Sequence, residues 1–432
     1  MAWPPCSGAS ATPRRIACDS EPVSPARDAG VSPLRHRAFV GLLVYRLFAI
    51  LSYQIVAVTV GWHVYEITRD PWSLGLIGLA EVVPYFCTAL FAGYAVDHLP
   101  RRRLGVAACI GLLATALILA WLARGVLGST WPIYAAIALT GLVRAFLGPI
   151  YIALVAHALP RSDYARGAGM GSVVFQLALV IGPALGGGLI AWSGKTAAYG
   201  FAAACAGAAT AAMLWLRMDE PPLATTRAPV LASIGEGLRF VFGHQILLGA
   251  LALDMFAVLF GGAVALLPAF IADILLAGPE ALGLLRAAPA AGAVAVGLWM
   301  SKRPPQRHAG RLLLGAVASF GVCIIGFALS RDLLLSAALL LASGMFDGVS
   351  VVLRSTILQL ATPDAMRGRV SAINGIFIGS SNELGAFESG LAARLLGLVP
   401  SVIFGGAMTL AVVGITARFA PRLRRLDLRD LH

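Results

Sequence analysis

Nine ionisable residues interrupt stretches of sequence that are otherwise apolar: Arg46, Glu81, Arg144, Asp254, Arg286, Asp347, Arg354, Glu383 and Glu388. In hydrocarbon such a side chain costs a few kcal/mol or more, so each must face water, a partner or a solute. A carboxylate held this way suits proton uptake and release, while a guanidinium suits a carboxylate partner or an anionic solute. Asp347 and Arg354 are seven apart, nearly two turns, so they share a helix face but are too distant for an adjacent-turn pair. Glu383 and Glu388 are five apart, about 140° around a helix, and need not line the same wall. Arg46 and Glu383 lie nearer segment ends, where snorkelling lowers the cost. By estimated depth, Glu81, Arg144, Asp254, Asp347 and Arg354 are the better cavity candidates. For any one of them a structural interhelical pair is the alternative.

The elements that must carry these charges are long and apolar. Of 432 residues, 59% are hydrophobic and only 12% charged, and the mean hydropathy is +0.83. Soluble domains carry about twice that charged fraction. Apolar segments fall at roughly 38–62, 73–96, 104–123, 130–157, 167–192, 197–216, 245–270, 281–300, 311–330, 333–360, 369–393 and 399–418. Each supplies about 20 residues at 1.5 Å rise, enough to cross the hydrocarbon core. The fold class expected is therefore all-α and integral to the membrane, with 12 transmembrane helices in two six-helix bundles.

The intervening segments set organisation and topology. Residues 1–36, rich in Pro, Ser, Ala and Arg, read as a flexible cytoplasmic tail lacking the apolar core of a signal peptide. Residues 37–216 form the first bundle, 217–237 a Pro-containing cytoplasmic linker, 238–419 the second bundle, and 420–432 a cytoplasmic tail. Of the 33 Lys and Arg residues, 24 lie on the side of the termini, 5 in the opposite loops and 4 within helices. That bias places both ends in the cytoplasm of a bacterial inner-membrane protein, and it explains the formal charge of +12 without nucleic acid. The halves also echo one another. Asp163-Tyr-Ala-Arg166-Gly167 matches Asp364-Ala-Met-Arg367-Gly368 at an offset of 201, and Glu81-Val-Val-Pro84 matches Arg286-Ala-Ala-Pro289 at 205. Repeats of this kind mark duplicated transporter architectures.

Other chemistries find no support in the motifs. The sequence has no CxxC, His cluster with metal-ligand spacing, P-loop or dinucleotide fingerprint, and no acid, base or metal triad near one membrane face, so neither a cofactor nor an enzyme activity is expected. Cys87, Cys109, Cys205 and Cys323 lie within apolar segments, which argues against disulfides. A scaffold would gain little from so many dispersed intramembrane charges. The partners expected are a small-molecule substrate, protons and the bilayer, with one chain able to hold the whole cavity. An importer or facilitator would use the same helices as an exporter.

Three local patterns resemble the major facilitator superfamily. Gly93, Asp97, Arg101 and Arg102 match its loop motif after helix two, with Pro100 where Gly is usual. Asp97 there reads either as a latch at a cytoplasmic gate, with Gly93, Arg101 and Arg102, or as a simple solvated residue. Arg144-Ala-Phe-Leu-Gly148 resembles its fourth-helix motif, and Gly182-Pro183-Ala-Leu-Gly186-Gly187 its antiporter-associated fifth-helix motif, whose upstream part is loosely kept. The second-half loop Gly297-Leu-Trp-Met-Ser301-Lys302-Arg303 lacks the acidic residue, so any latch there works differently. Thr362-Pro-Asp-Ala-Met-Arg367-Gly-Arg369-Val and Ser381-Asn382-Glu383-Leu-Gly385-Ala-Phe-Glu388 are similar to the bacterial enterobactin-exporter and macrolide-efflux-like branch. The resemblance covers about residues 36–420. It implies alternating access driven by the proton gradient; the candidate substrate or proton-pathway residues among the charges above are Glu81, Arg144, Asp254, Arg286, Asp347, Arg354, Glu383 and Glu388. It implies export of a siderophore or another small amphipathic compound and does not choose between them.

Overall fold

The computed structural model describes residues 33–125, 129–216, 218, 230–302, 308–363 and 366–428. Most of the tail at 1–36 and of the linker at 217–237 therefore lies outside the described residues. The first bundle contains α1 (Arg37–Thr68), α2 (Pro71–His98), α3 (Arg101–Leu122) and α4 (Trp131–Ala158), followed by one helical run, Tyr164–Trp215. That run is two spans, α5 over 164–193 and α6 over 195–215, because Gly194 adopts φ 79° and ψ 169° between them. A residue with a Cβ rarely adopts that φ, so glycine lets the chain turn back with no loop at all.

The second bundle opens with α7 (Val230–Gly243), a short amphipathic helix packed on α8 and α12. It occupies the last part of the expected linker and the start of the expected second bundle. The spans that follow are α8 (Gln245–Leu275), α9 (Pro279–Lys302), α10 (Ala309–Leu329), α11 (Leu333–Ala361), α12 (Arg367–Leu396) and α13 (Leu398–Phe419), and α14 (Pro421–Arg424) caps the end. Gly397, at φ 92° and ψ 164°, joins α12 directly to α13. It lies 203 residues after Gly194, so the duplication reaches the hairpin joints. Asp70 and Asp332 cap α2 and α11, accepting from the amides of Trp72 at 3.0 Å and Leu335 at 2.8 Å.

Among the described residues, ten helices are long and apolar enough to cross a membrane. Counting α5 and α6 separately, and adding the more polar α12, gives twelve. α12 carries Asn374, Asn382, Glu383 and Glu388, which lower its hydropathy below that of the rest. Trp121, Trp131 and Trp192 are exposed at the loop end, and Trp215, Trp299 and Phe419 at the end bearing the termini. Two such aromatic girdles are what a helix bundle presents to the two faces of a bilayer.

Segment seven departs from a plain helix. Regular α-helix runs over Gln245–Phe260, then gives way to a 3-10 turn at Gly262–Leu266 and a π turn at Ile271–Leu275. Irregular backbone at membrane depth persists only where protein or a cavity receives its polar groups. Here Gly261, Gly262, Val264 and Ala265 line the central cavity.

The bundles meet through α2 against α12 and α5 against α9. The contacts are tightest toward the loop end. A Cβ at Gly75 would stand 3.0 Å from the Gly390 Cα, and one at Gly187 would collide with the Gly283 backbone. Trp72 and Phe387 meet with ring centroids 5.4 Å apart and planes tilted by 56°, and Tyr65 donates to Asp273. Toward the terminus end a Cβ added at Gly93, Gly169 or Gly375 meets nothing within 4 Å. The bundles thus close at the loop end and diverge toward the termini.

Candidate functional site

Between the bundles lies a cavity of about 760 Å³. Six ionisable groups line it: Arg46, Glu81, Arg144, Arg286, Asp347 and Glu383. Two close helix approaches assemble its centre. Gly141, one turn before Arg144, leaves no room for a Cβ beside the Glu81 carbonyl, so α4 packs directly on α2. Gly78, one turn before Glu81, brings α2 against α12, where a Cβ would stand 2.7 Å from the Glu383 carbonyl oxygen.

The result is a three-helix charge cluster. The Arg144 guanidinium reaches Glu81 Oε1 at 2.7 Å and Glu383 Oε1 at 2.6 Å, both through Nη1. Tyr53 on α1 accepts from the same nitrogen and donates to Glu81 Oε1 at 3.0 Å. Tyr53 and Tyr85 also hold the guanidinium over their rings, at 5.2 and 4.9 Å. Glu81 and Arg144 belong to the first bundle and Glu383 to the second, so one guanidinium ties the bundles together. Two carboxylates share it, which leaves one negative charge beyond what Arg144 balances.

Arg286 extends toward the first bundle and donates to the Ala57 carbonyl at 3.4 Å. It occupies the position of Glu81 at an offset of 205, and Asp347 that of Arg144 at 203. The duplicated positions thus carry opposite charges. The first-bundle pair is closed by an ion pair; among the described residues Arg286 and Asp347 form none. Arg46, nearer segment ends in sequence, lines the cavity with its guanidinium 4.0 Å above Tyr151 and 5.2 Å from Phe175.

Three expected cavity residues lie elsewhere. Asp254 on α8 and Arg354 on α11 pair with each other, both nearly inaccessible, among Leu253, Leu353 and Ile357 of the second bundle. Arg354 thus has its partner on another helix, and neither member faces the cavity. Glu388 is half-buried and does not line it, since it projects about 140° away from Glu383. Tyr53 was missed. It lies seven residues after Arg46 on the same face of α1, a spacing that marks it in retrospect.

The glycine motif of α5 has two packing faces. Gly182 and Gly186 lie against α1, where added Cβ atoms would meet Gln54 at 2.6 Å and Val58 at 3.3 Å, while Gly187 faces Gly283 of α9. Pro183 presents its carbonyl at the same crossing, 3.0 Å from a Cβ placed at Gly283. Gly187→Leu is expected to prevent closure of the loop end. In a background free of native cysteines, Leu74→Cys on the cavity wall should then react at least about tenfold faster with an impermeant maleimide added from the loop side. Unchanged reactivity would show that this crossing is not a seal.

At the terminus end, Arg101 donates to the Val96 carbonyl at 3.2 Å and meets His157 at 2.6 Å, linking α3 to the ends of α2 and α4. Arg102 donates to the Met213 carbonyl at 3.2 Å and to Leu214 on α6. The Asp97 side chain lies outside the described residues, as does that of Arg367. No group of three metal-ligating side chains occurs among the described residues.

A family model described as "Transmembrane secretion effector" matches residues 28–432. The multidrug efflux pump Tap of Mycolicibacterium fortuitum is 27% identical over 409 residues, covering 90% of this chain and 98% of that protein. The enterobactin exporter EntS of Shigella boydii is 27% identical over 349 residues, covering 78% and 81%. Among solved structures, a bacterial homologue of the lysosomal transporter Spinster, inward-facing and unoccupied, superposes with a TM-score of 0.66 at 14% identity over 93% of this chain and 99% of that one. A POT family transporter in complex with a thioalcohol-conjugated peptide gives 0.70 at 11% identity over 90% and 96%.

Proposed function

Because the chain belongs to the transmembrane secretion effector family of the major facilitator superfamily and is a multi-pass transporter rather than an enzyme, we propose that it exports a small amphipathic compound in exchange for protons. The observation that carries this reading is the Arg144 bridge between Glu81 and Glu383. A proton reaching Glu383 cancels the surplus negative charge and weakens the tie between bundles. Such a protonation favours whichever state does not need the tie, the differential interaction that alternating access requires. The Lys and Arg bias supports termini on the cytoplasmic side of the inner membrane; in that orientation the divergent end faces inward and the cavity loads from the cytoplasm. Efflux and export are the activities named for the two relatives above, and both a siderophore and a lipophilic drug suit a cavity of this size.

The test is proton flux in proteoliposomes under an imposed pH gradient, with siderophores and macrolides as candidate cargo. Cargo leaving against proton entry, and uncoupled in Glu383→Gln, is the expected result. Cargo movement with no proton flux in the unaltered protein overturns the coupling.

A further inference from the structure

The charge inventory of the cavity, resting on the transport reading above, says more about its cargo. Arg144 is matched by two carboxylates. Arg46 stacks on two aromatic rings, and Arg286 donates to a backbone carbonyl. Asp347 alone among the six lining ionisable groups has no hydrogen bond, ion pair or ring contact among the described residues, and it lies on α11 beside Ser343 and Gly344. Gly344 and Gly348 pack directly against Pro289 and Ala293 of α9, so the backbone carrying Asp347 is fixed between two close contacts. Replacing the small residues beside it would not be needed to admit a bulky group, because the cavity opens in front of it.

We propose that Asp347 is the counter-ion for a positively charged group of the cargo, and that the cargo is an aromatic or otherwise lipophilic organic cation. An unpaired carboxylate in a membrane-embedded wall is expensive, and a bound cation supplies the missing partner. The surroundings fit such a cation. Phe320 lines the wall of the second bundle, and Tyr45, Tyr53, Tyr151 and Phe175 line the first. Their faces attract cations and their edges bury apolar area. An anionic cargo would gain nothing from Asp347 and would turn instead to Arg46, whose Nε has no hydrogen-bond partner among the described residues, or to Arg286, held by the Ala57 carbonyl at 3.4 Å.

Two probes of matched shape and opposite charge, tetraphenylphosphonium and tetraphenylborate, separate these cases. Equilibrium binding to the full-length chain in detergent should favour the cation by at least about tenfold. Asp347→Asn should erase that preference while keeping tetraphenylborate affinity, which reports an intact cavity, and Asp347→Glu should retain it. Equal binding of both probes to the unaltered protein overturns the proposal, whatever the variants do, and so does a preference that survives in Asp347→Asn. Binding at equilibrium requires no gradient, so failed proton coupling in proteoliposomes would overturn the coupling and leave this inference standing.

Discussion

Arg144→Met is expected to reduce coupled transport by about two orders of magnitude while the protein remains folded. Arg144 is the sole cation within ion-pair distance of both Glu81 and Glu383 among the described residues. Without it the two carboxylates face one another near 5 Å or less across the bundle interface, roughly 3 kcal/mol of repulsion at an effective dielectric near 20. They escape by holding a proton permanently or by moving apart. Either outcome removes the proton-dependent change in bundle attachment on which the cycle depends. Arg144→Lys should recover little, since all three contacts run through Nη1 at the far end of the guanidinium, beyond the reach of the shorter side chain, and an ammonium has no planar face to lie over Tyr53 and Tyr85. Glu81→Gln in the Arg144→Met background should restore cargo binding but not coupling. Proton flux and cargo flux measured on the same vesicles decide the matter, and coupled export by Arg144→Met at more than about a tenth of the normal rate would show that the bridge is not part of the machinery.

The contrast between this cluster and the rest of the molecule shows what a linear sequence holds. The twelve spans were legible because lipid demands runs of apolar residues of fixed length, a property local to each segment. The breaks near 194 and 397 were legible too, but not that one glycine alone makes each turn, which only its φ reveals. The break in α8 was hidden because its residues stay apolar while their backbone leaves the helix.

The charges themselves were visible, but their partners were not. Depth along a helix can be counted from sequence; azimuth relative to a neighbouring helix cannot. Glu383 ranked low by depth, yet the approach at Gly78 swings it onto Arg144. Asp254 ranked high, yet α11 turns Arg354 toward it and away from the cavity. The duplication carried information that offsets alone could not interpret: it matches Glu81 with Arg286 and Arg144 with Asp347, inverting both signs. Only the packing reveals that one pair closes and the other stays apart.

The Asp254–Arg354 pair leads to the second large effect, which falls on stability rather than transport. Both side chains are buried within the second bundle, joining α8 to α11 beside Leu253 and Ile357. Asp254→Leu strands a guanidinium among apolar neighbours, a loss of about 3–5 kcal/mol when one partner of a buried pair is removed. Its thermal midpoint in detergent should therefore fall by several degrees, and Arg354→Met alone should behave similarly. The double variant Asp254→Leu/Arg354→Met removes both charges and replaces them with side chains of comparable bulk. Its stability should return to within about 1 kcal/mol of the original, because desolvating the pair offsets much of its attraction. The same double variant separates two roles for Asp254. If the pair only joins helices, proton-coupled transport survives in it. If Asp254 carries the transported proton, coupling is lost even though the fold is restored, and the proton site moves from the Arg144 bridge to the core of the second bundle.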